Sequence, residues 1–286
     1  MIIVTGATGK LGTQIVDQLL TVVPPAELGV SVRDPGKAAD LAARGVRVRA
    51  GDFTDPASLA AVFEGADQAL IISASIPGFD AAVAANRAAV DAAREAGARR
   101  ILYTSHQGAS PESEFGPMRV HAATEDYLAE TGVPFTALRN GFYVSTLGFY
   151  LTPALESGTL ALPEDGPVSW TAHPDLAAAA AAALTSEGLL DGVTAPLTAP
   201  ATADFAEVAS ILSEVTGRPV TRVVLGDEEW KAASGLPPHF ADFTLGMFRA
   251  ARRGEFAATG PTLEKVIGRA PLPARTFVEH FAGNVR

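Results

Sequence analysis

Three glycines near the start of the chain are spaced as in a loop that binds a dinucleotide phosphate. Gly6, Gly9 and Gly12 form a GxxGxxG pattern directly after the apolar residues 2–4. The first glycine permits a tight turn, the second lets a pyrophosphate approach the backbone, and the third lets the next helix pack closely on the sheet. The free N–H groups and positive dipole end of that helix favour an anion. The pattern therefore indicates a cofactor phosphate site.

The sequence on either side of these glycines supports the interpretation that the loop binds a ligand. Their spacing differs from the GxGxxG of the standard dinucleotide fingerprint, and a glycine-rich turn that binds nothing is the alternative. However, the apolar run before Gly6 is typical of a buried parallel strand, and the residues after it form an amphipathic helix pattern through Leu20. Such a unit is expected at the first strand of a Rossmann sheet.

Arg33 is the residue that favours one cofactor over another. It follows a predicted second strand over residues 28–32, where dinucleotide folds meet the adenosine ribose. An acidic residue at this place binds the 2′-hydroxyl of NAD, whereas an arginine suits the 2′-phosphate of NADP. Lys10 and Lys37 add positive charge nearby in sequence. We therefore expect NADP(H), with an ordinary solvated arginine as the alternative interpretation.

The ends of the other predicted strands provide the remaining expected cofactor contacts, because ligands bind at the carboxyl ends of parallel strands. These strands cover residues 46–50, 66–72, 99–103 and 135–139. The predicted contacts at the ends of these strands are Asp52, Phe53, Ser73, Ala74, Ser75, Thr104, Ser105, Asn140, Gly141, Phe142 and Tyr143. The predicted contacts from the first two strand ends are Gly6, Thr8, Gly9, Lys10, Leu11, Gly12 and Arg33.

The elements that must position these residues alternate between strand and helix patterns as far as residue 143. This alternation predicts an α/β fold, a Rossmann-type doubly wound parallel sheet over residues 1–143. Beyond it we expect residues 144–286 to form mainly a smaller, non-contiguous α+β substrate lobe, with residues 168–197 returning to the sheet domain. Short strands are predicted at 168–171 and 193–197.

Three aspartates precede or begin predicted helices and are expected to cap them. They are Asp34, Asp55 and Asp175. A carboxylate at such a position accepts hydrogen bonds from the first free N–H groups of the helix.

Composition excludes several classes of function. The chain has 286 residues, no cysteine and a net charge of −10. Without cysteine there are neither disulfides nor thiolate metal sites, and no histidine cluster has ligand spacing. The acidic balance disfavours nucleic acid, and the apolar runs are too short to span a membrane. Because the first strand begins the chain, no signal peptide is expected, and we predict a cytoplasmic protein without metal.

Five segments together resemble one family. They are residues 5–12, 33–35, 51–53, 103–105 and 138–143. The chain resembles the NmrA-like atypical short-chain dehydrogenase/reductases over essentially its whole length and is most similar to the type 2 NADPH-dependent quinone oxidoreductases. This resemblance implies an NADP(H) cofactor and a quinone-like small molecule as substrate. It also implies that the turn after the sixth strand borders the nicotinamide.

The chain departs from the usual catalytic residues of short-chain dehydrogenases, which are Ser, Tyr and Lys. Ser105 matches the serine, but Pro117 stands where the tyrosine is expected and His121 where the lysine is expected. Glu125 follows His121 by four residues, so we expect it to hydrogen-bond the imidazole on the same helix face. Alcohol dehydrogenation by the usual route is therefore disfavoured.

A quinone tolerates this loss, because hydride can attack its electron-poor ring directly and the phenolate that forms needs little proton assistance. His121, Asn140 and Tyr143 are the catalytic candidates, as groups that stabilise charge or position the substrate. For His121, local packing is an equal alternative.

Aromatic residues are expected to line an apolar pocket for a flat ring or to form plain core. The aromatic and sulfur-containing residues concerned are Phe142, Phe149, Tyr150, Trp230, Phe240, Phe243, Met247 and Phe248.

Two functions remain open on this reading. The first is NADPH-dependent reduction of a quinone or a similar electron-poor acceptor, to which reduction of a double bond or an imine-like acceptor is closely related. The second is a non-catalytic NADP(H)-sensing regulatory protein of the NmrA-like type. The oligomeric state is open, and a homo-oligomer is compatible with either.

Overall fold

The computed structural model describes residues 1–284 of the chain. Within them, seven strands form a fully parallel sheet in the order β3-β2-β1-β4-β5-β6-β8. Its strands are β1 (Ile2–Thr5), β2 (Leu28–Val32), β3 (Arg47–Ala50), β4 (Gln68–Ile71), β5 (Arg100–His106), β6 (Phe135–Asn140) and β8 (Gly192–Val193). A second, smaller parallel sheet pairs β7 (Thr159–Pro163) with β9 (Thr221–Leu225). The main order is that of a Rossmann sheet, which confirms the predicted fold class.

Helices cover both faces of the main sheet and build the region beyond it. The helices of the sheet region are α1 (Lys10–Leu19), α2 (Ala39–Ala43), α3 (Pro56–Phe63), α4 (Phe79–Glu95), α5 (Gly116–Glu130) and α7 (His173–Thr185). The remaining helices are α6 (Gly148–Ser157), α8 (Phe205–Thr216), α9 (Asp227–Ala233), α10 (Pro238–Arg252), α11 (Thr262–Ile267) and α12 (Ala274–Asn284). No helix within residues 1–284 is long and apolar enough to cross a membrane.

Alternation along β5 shows how the two faces are filled. Leu102 belongs to the buried cluster that includes residues of α1, α7 and α11, whereas Ile101 and Tyr103 belong to the cluster that includes residues of α3, α4 and α5. Successive side chains of a strand point to opposite faces, so a strand covered on both sides is apolar throughout. The sheet is therefore held between two helical layers. The edge formed by the carboxyl ends of its strands faces the region that contains the third buried cluster.

A third buried cluster lies beyond this edge and is rich in aromatic residues. Trp170, Phe205, Phe248 and Phe256 are its largest fully buried members. The Trp170 indole N–H donates to the Ala203 carbonyl at 2.9 Å, so its polar atom is satisfied inside the core. The division of the chain at residue 143 stays a prediction, and the last two residues of the expected lobe lie outside the described residues.

The predicted strand at 168–171 is wrong. This segment makes isolated bridges, from Val168 to Ala203 and from Thr171 to Tyr143, instead of a continuous ladder. Its N–H groups bond to different segments, because the Ser169 N–H donates to the Phe256 carbonyl. The strand expected over 193–197 is reduced to β8, which ends at residue 193.

The structure confirms one of the three predicted caps. The Gly36 N–H donates to the Asp34 carboxylate at 3.0 Å. Asp55 precedes α3, but its side chain makes no cap bond, and its backbone carbonyl accepts from the Ser58 hydroxyl instead. Asp175 is fully buried and does not cap α7. Its carboxylate accepts from the Leu272 N–H at 2.7 Å and pairs with Arg269 at 2.6 Å, so it ties α7 to a distant segment.

Candidate cofactor and substrate site

The glycine loop after β1 forms a compact cradle. Gly6 has a φ of +61°, and its carbonyl accepts the Gly9 N–H at 3.0 Å. A Cβ on Gly12 would lie 2.2 Å from the Gly6 carbonyl oxygen, so only glycine fits this position. Thr8, Gly9 and Lys10 are exposed where α1 begins. The loop can therefore hold an anion against the first amides of α1, as the glycine spacing predicts. Leu11 is buried under the loop.

Two threonine hydroxyls hold the neighbouring strand ends together. Thr5 Oγ1 accepts the Ile72 N–H at 2.9 Å, and Thr104 Oγ1 accepts the Ser73 N–H at 2.9 Å. The ends of β1, β4 and β5 are thereby fixed at the cofactor edge of the sheet. The predicted contacts Ala74 and Ser75 follow directly and are half-buried and exposed, respectively.

The adenosine end of the predicted site brings Arg33 close to Asp52. Hydrogen bonds from the Thr54 N–H and hydroxyl lower the pKa of Asp52, and the Arg33 charge adds to this effect. Arg33 is exposed and Phe53 is half-buried. An exposed guanidinium at the end of β2 is available for a phosphate group.

Asn140 has the feature expected of a side chain that a ligand completes. It is 2% exposed, and its Oδ1 is among the buried polar atoms without a partner in residues 1–284. The adjacent Gly141 is also required, since a Cβ there would lie 2.0 Å from Thr171 Oγ1. Buried acceptors are rarely left unpaired. The cradle follows β1 and this open acceptor ends β6, so both lie at the carboxyl ends of strands of the main sheet.

Tyr143 lies against a histidine that the sequence did not single out. The rings of Tyr143 and His173 have centroids 4.5 Å apart. Burial lowers the pKa of His173 to about 4, and the charge of Lys10 acts in the same direction. His173 belongs to α7 but lies close enough to Lys10, at the end of the glycine loop, to sense its charge. Burial raises the pKa of Tyr143, while a hydrogen bond with Asn140 opposes this shift.

The predicted hydrogen bond between Glu125 and His121 is wrong. Glu125 accepts from the Ser105 hydroxyl at 2.5 Å and forms two hydrogen bonds with Arg139, at 2.6 and 3.0 Å. A bidentate guanidinium is a stronger partner for a buried carboxylate than a neutral imidazole is. His121 Nδ1 instead lies 2.9 Å from the Tyr103 hydroxyl. The Ser105 hydroxyl is thus engaged within the protein.

The expected aromatic pocket residues separate into two groups. Phe142 is buried and packs on His106 and Phe256, with ring centroids 5.3 and 4.9 Å away. Phe149 is 79% exposed, and Tyr150 packs on Phe205. Within residues 1–284 neither of these two rings packs directly on the ring of Phe142.

Of the more distant residues, Trp230, Met247 and Phe248 are buried in the third cluster. Phe240 and Phe243 are about half exposed, and Phe243 reaches Phe115 with a centroid separation of 4.9 Å. The core interpretation therefore holds for the first three.

The described residues contain no group of three or more His, Cys, Asp or Glu side chains that could hold a metal ion.

Comparison with known proteins adds family information to this geometry. A family model described as NAD(P)H-binding matches residues 6–187. Quinone oxidoreductase 2 of Escherichia coli strain K12 is 34% identical over 286 residues, which cover 98% of each chain. An NmrA-like family domain-containing oxidoreductase of Aspergillus flavus is 29% identical and covers 96% of this chain and 93% of its own. The crystal structure of the NADPH-dependent quinone oxidoreductase of Escherichia coli complexed with NADPH is 33% identical with a TM-score of 0.92, covering 99% of this chain and 100% of that chain.

The cradle can be tested with one methyl group. We expect Gly12→Ala to weaken NADPH binding at least about tenfold and to destabilise the fold by about 1–3 kcal/mol, because the added carbon overlaps the Gly6 carbonyl. Gly260→Ala is the matched control, since nothing lies within 4 Å of a Cβ at that position. Fluorescence titration with NADPH and thermal unfolding provide the two measurements. Unchanged affinity in Gly12→Ala would contradict the assignment of this loop.

The neutral state of His121 predicts a pH dependence of stability. Burial lowers the pKa of this imidazole from 6.5 to about 4. Because the unfolded chain binds the proton more readily, the free energy of unfolding should fall as the pH is lowered from about 6.5 to about 4. For one such group the loss is up to about 3 kcal/mol.

Denaturant unfolding of His121→Gln over this range should show a smaller decrease than the wild-type protein. His239→Gln, at an exposed position, is the control and should follow the wild type. Parallel curves for His121→Gln and the wild type would show that His121 is not held neutral by the fold.

Proposed function

Because this chain belongs to the NAD(P)H-binding family, we propose that it is an NADPH-dependent reductase that transfers hydride to a quinone or a similar electron-poor acceptor. The predicted relationship to NmrA-like proteins and to quinone oxidoreductases is confirmed by relatives that match almost the whole chain. The observation that carries the proposal is the full-length structural match to a quinone oxidoreductase complexed with NADPH. The cradle and the open Asn140 acceptor support the same conclusion.

Different residues of the site would contact different parts of the cofactor. The glycine loop would hold the pyrophosphate, and Arg33 would bind the 2′-phosphate. Asn140 Oδ1 lies buried without a partner and would accept a hydrogen bond from the carboxamide N–H of the nicotinamide. The bound cofactor supplies the hydride and is oxidised to NADP⁺. Tyr143 and His173, whose rings are in contact, would limit how far the nicotinamide end can move.

The chemistry needs no strong acid from the protein. A quinone that accepts hydride on a ring carbon becomes an enolate-type monoanion, which takes a proton from water on oxygen. Loss of a proton from that ring carbon to water and protonation of the second oxygen then give the aromatic hydroquinone. Burial keeps the pKa of His121 near 4, so its ring is neutral at pH 7 and can offer a hydrogen bond to the acceptor without acting as a strong acid. The absent Tyr-Lys pair is therefore compatible with reduction of such acceptors.

The proposal extends to the substrate class, the cellular location and the oligomeric state of the protein. A net charge of −10 supports a small-molecule substrate over nucleic acid. A cytoplasmic location and a homo-oligomeric state stay predictions.

Cofactor preference tests the role of Arg33. We expect Arg33→Asp to lower the ratio of NADPH to NADH affinity at least about tenfold, because a charge-assisted contact to the 2′-phosphate is replaced by repulsion. Arg119→Asp carries the same charge change at an exposed position on α5 and should leave the ratio unchanged. The affinities can be measured by calorimetry. An unaltered ratio in Arg33→Asp would remove the selectivity role from this residue.

Turnover tests the function itself. Purified protein with NADPH and a panel of small quinones should show quinone-dependent loss of nicotinamide absorbance. NADPH deuterated at C4 should react more slowly if hydride transfer limits the rate. Gly12→Ala is the negative control, because it disrupts the cradle. Absence of turnover across the whole panel would reject the reductase proposal and leave the NADP(H)-sensing regulator as the remaining function.

A further inference from the structure

Two histidine rings lie side by side at the carboxyl end of β5. The centroids of His106 and His121 are 6.2 Å apart, with 22° between the ring planes. His106 is 8% exposed and packs edge-on against Phe142 and Phe256. His106 is not among the predicted site residues. Its place on the strand puts it in register with Asn140, whose Oδ1 has no partner within residues 1–284.

The proton on His106 is fixed by the local backbone. The Gly108 N–H donates to His106 Nδ1 at 3.1 Å. A nitrogen that accepts a hydrogen bond cannot carry the hydrogen of a neutral imidazole. The hydrogen of His106 is therefore on Nε2.

The proton on His121 is fixed by a chain of buried side chains. The Asn86 amide N–H group donates to the Tyr103 hydroxyl oxygen at 3.3 Å, and this oxygen lies 2.9 Å from His121 Nδ1. Burial raises the pKa of Tyr103, so the phenol stays protonated. Because the Asn86 amide donates to the phenol oxygen, the phenol hydrogen can be donated to Nδ1, an arrangement that places the hydrogen of His121 on Nε2 as well.

Both Nε2 atoms are available to a ligand. Within residues 1–284 neither Nε2 atom forms a hydrogen bond, and neither is fully enclosed by protein atoms. The nearby carboxylate does not compete, because Glu125 is bonded to Arg139 and Ser105. The rings thus present two uncharged N–H donors beside the strand end where the acceptor would meet the nicotinamide.

We propose that His106 is a second hydrogen-bond donor, beside His121, to the acceptor oxygen that becomes negatively charged on reduction. The ligand class of this pair is a phenolate-type oxyanion. This inference rests on the proposed function. In the reaction, hydride adds with its two electrons to a ring carbon conjugated with the C=O group, the π electrons shift through the ring, and the electron pair of the C=O π bond moves to oxygen. Water then protonates that oxygen. The ring carbon that took the hydride loses a proton to water and the second carbonyl oxygen gains one, which restores the aromatic ring. NADPH is the reductant.

Neutral donors suit this role. Preorganised N–H groups stabilise the charge that develops on oxygen without having to reorient, and they are most effective where water is excluded. Their Nδ1 contacts hold both rings in the donor tautomer, so no rearrangement is needed when the oxygen becomes charged. Tyr103 and Gly108 act as positioning groups for the pair.

Binding of a product-like anion tests the proposal without turnover. The probe is 4-nitrophenolate, titrated into the NADP⁺-loaded protein at a pH where the phenol is ionised. Hydrogen bonds to the phenolate oxygen shift its absorbance to shorter wavelength. We expect the wild-type protein to bind the probe with this shift. His106→Leu should bind it tenfold to a hundredfold more weakly and lose part of the shift, as expected for one hydrogen bond to a charged oxygen.

His106→Gln keeps an N–H donor and should retain most of the affinity, whereas a packing role would make both variants similar. His239→Leu, at an exposed histidine, is the control for the substitution itself. Thermal unfolding and NADPH affinity show whether His106→Leu is folded. If that variant unfolds, the comparison of His106→Gln with the wild type decides the question. Equal binding and an equal shift in wild type and His106→Leu overturn the proposal, as does a wild-type protein that does not bind the probe.

Nitrogen NMR of the histidine rings provides a second measurement. Both His106 and His121 should show the Nε2–H tautomer, and Tyr103→Phe should disturb His121 while leaving His106 unchanged. An Nδ1–H tautomer at His106 would contradict the inference. If quinone turnover is absent while probe binding still depends on His106, then the proposed function fails and the anion site stands.

Discussion

The close approach of α1 to the turn after β1 is the constraint on which the site depends. The space between Gly12 and the Gly6 carbonyl is too small for a single carbon atom, because an ideal Cβ would lie 2.2 Å from that oxygen. This contact sets where α1 begins and which amides stay free. It also fixes the loop relative to the ends of β4 and β5, which Thr5 and Thr104 join by side-chain hydrogen bonds. The cofactor edge is thus a rigid surface built from backbone, and side chains beyond it can vary.

On α5, Pro117 and His121 stand where short-chain dehydrogenases usually have the catalytic tyrosine and lysine. The buried carboxylate of this helix, Glu125, is neutralised by Arg139 of β6 in a bidentate pair, and it also accepts from the Ser105 hydroxyl. The pair is partly buried, with side-chain exposures of 6% for Glu125 and 29% for Arg139. Removing one partner would leave an unpaired buried charge, which is strongly unfavourable. The network therefore holds β5, β6 and α5 together and leaves the imidazoles uncharged.

Much of the fold could be predicted because it follows from local patterns. The bounds of β2 and the cap at Asp34 depend on residues close in sequence. The errors arise where a distant segment supplies the partner. Asp175 bonds to Leu272, and Glu125 bonds to Arg139 on a neighbouring strand. His106 and His173 were missed for the same reason, because their importance appears only when Asn140, Tyr143 and Lys10 are seen beside them. The glycine cradle could be located from sequence since its function lies in the backbone of one short loop.

The electrostatics of the site favour acceptors that need charge stabilisation more than proton transfer. Hydride transfer to a simple carbonyl produces an alkoxide, which is strongly basic and requires an acid of matched pKa. The buried histidines cannot provide this acid, because burial lowers the pKa of both rings. A phenolate is far less basic, because its negative charge is delocalised into the ring, and hydrogen bonds from neutral donors are sufficient for it. Phe142 and Phe256 pack edge-on against His106, and in such apolar surroundings a hydrogen bond from its ring would be stronger than in water. The replacement of the Tyr-Lys pair by Pro117 and a neutral His121, which disfavours alcohol chemistry, is therefore compatible with acceptors of the quinone type.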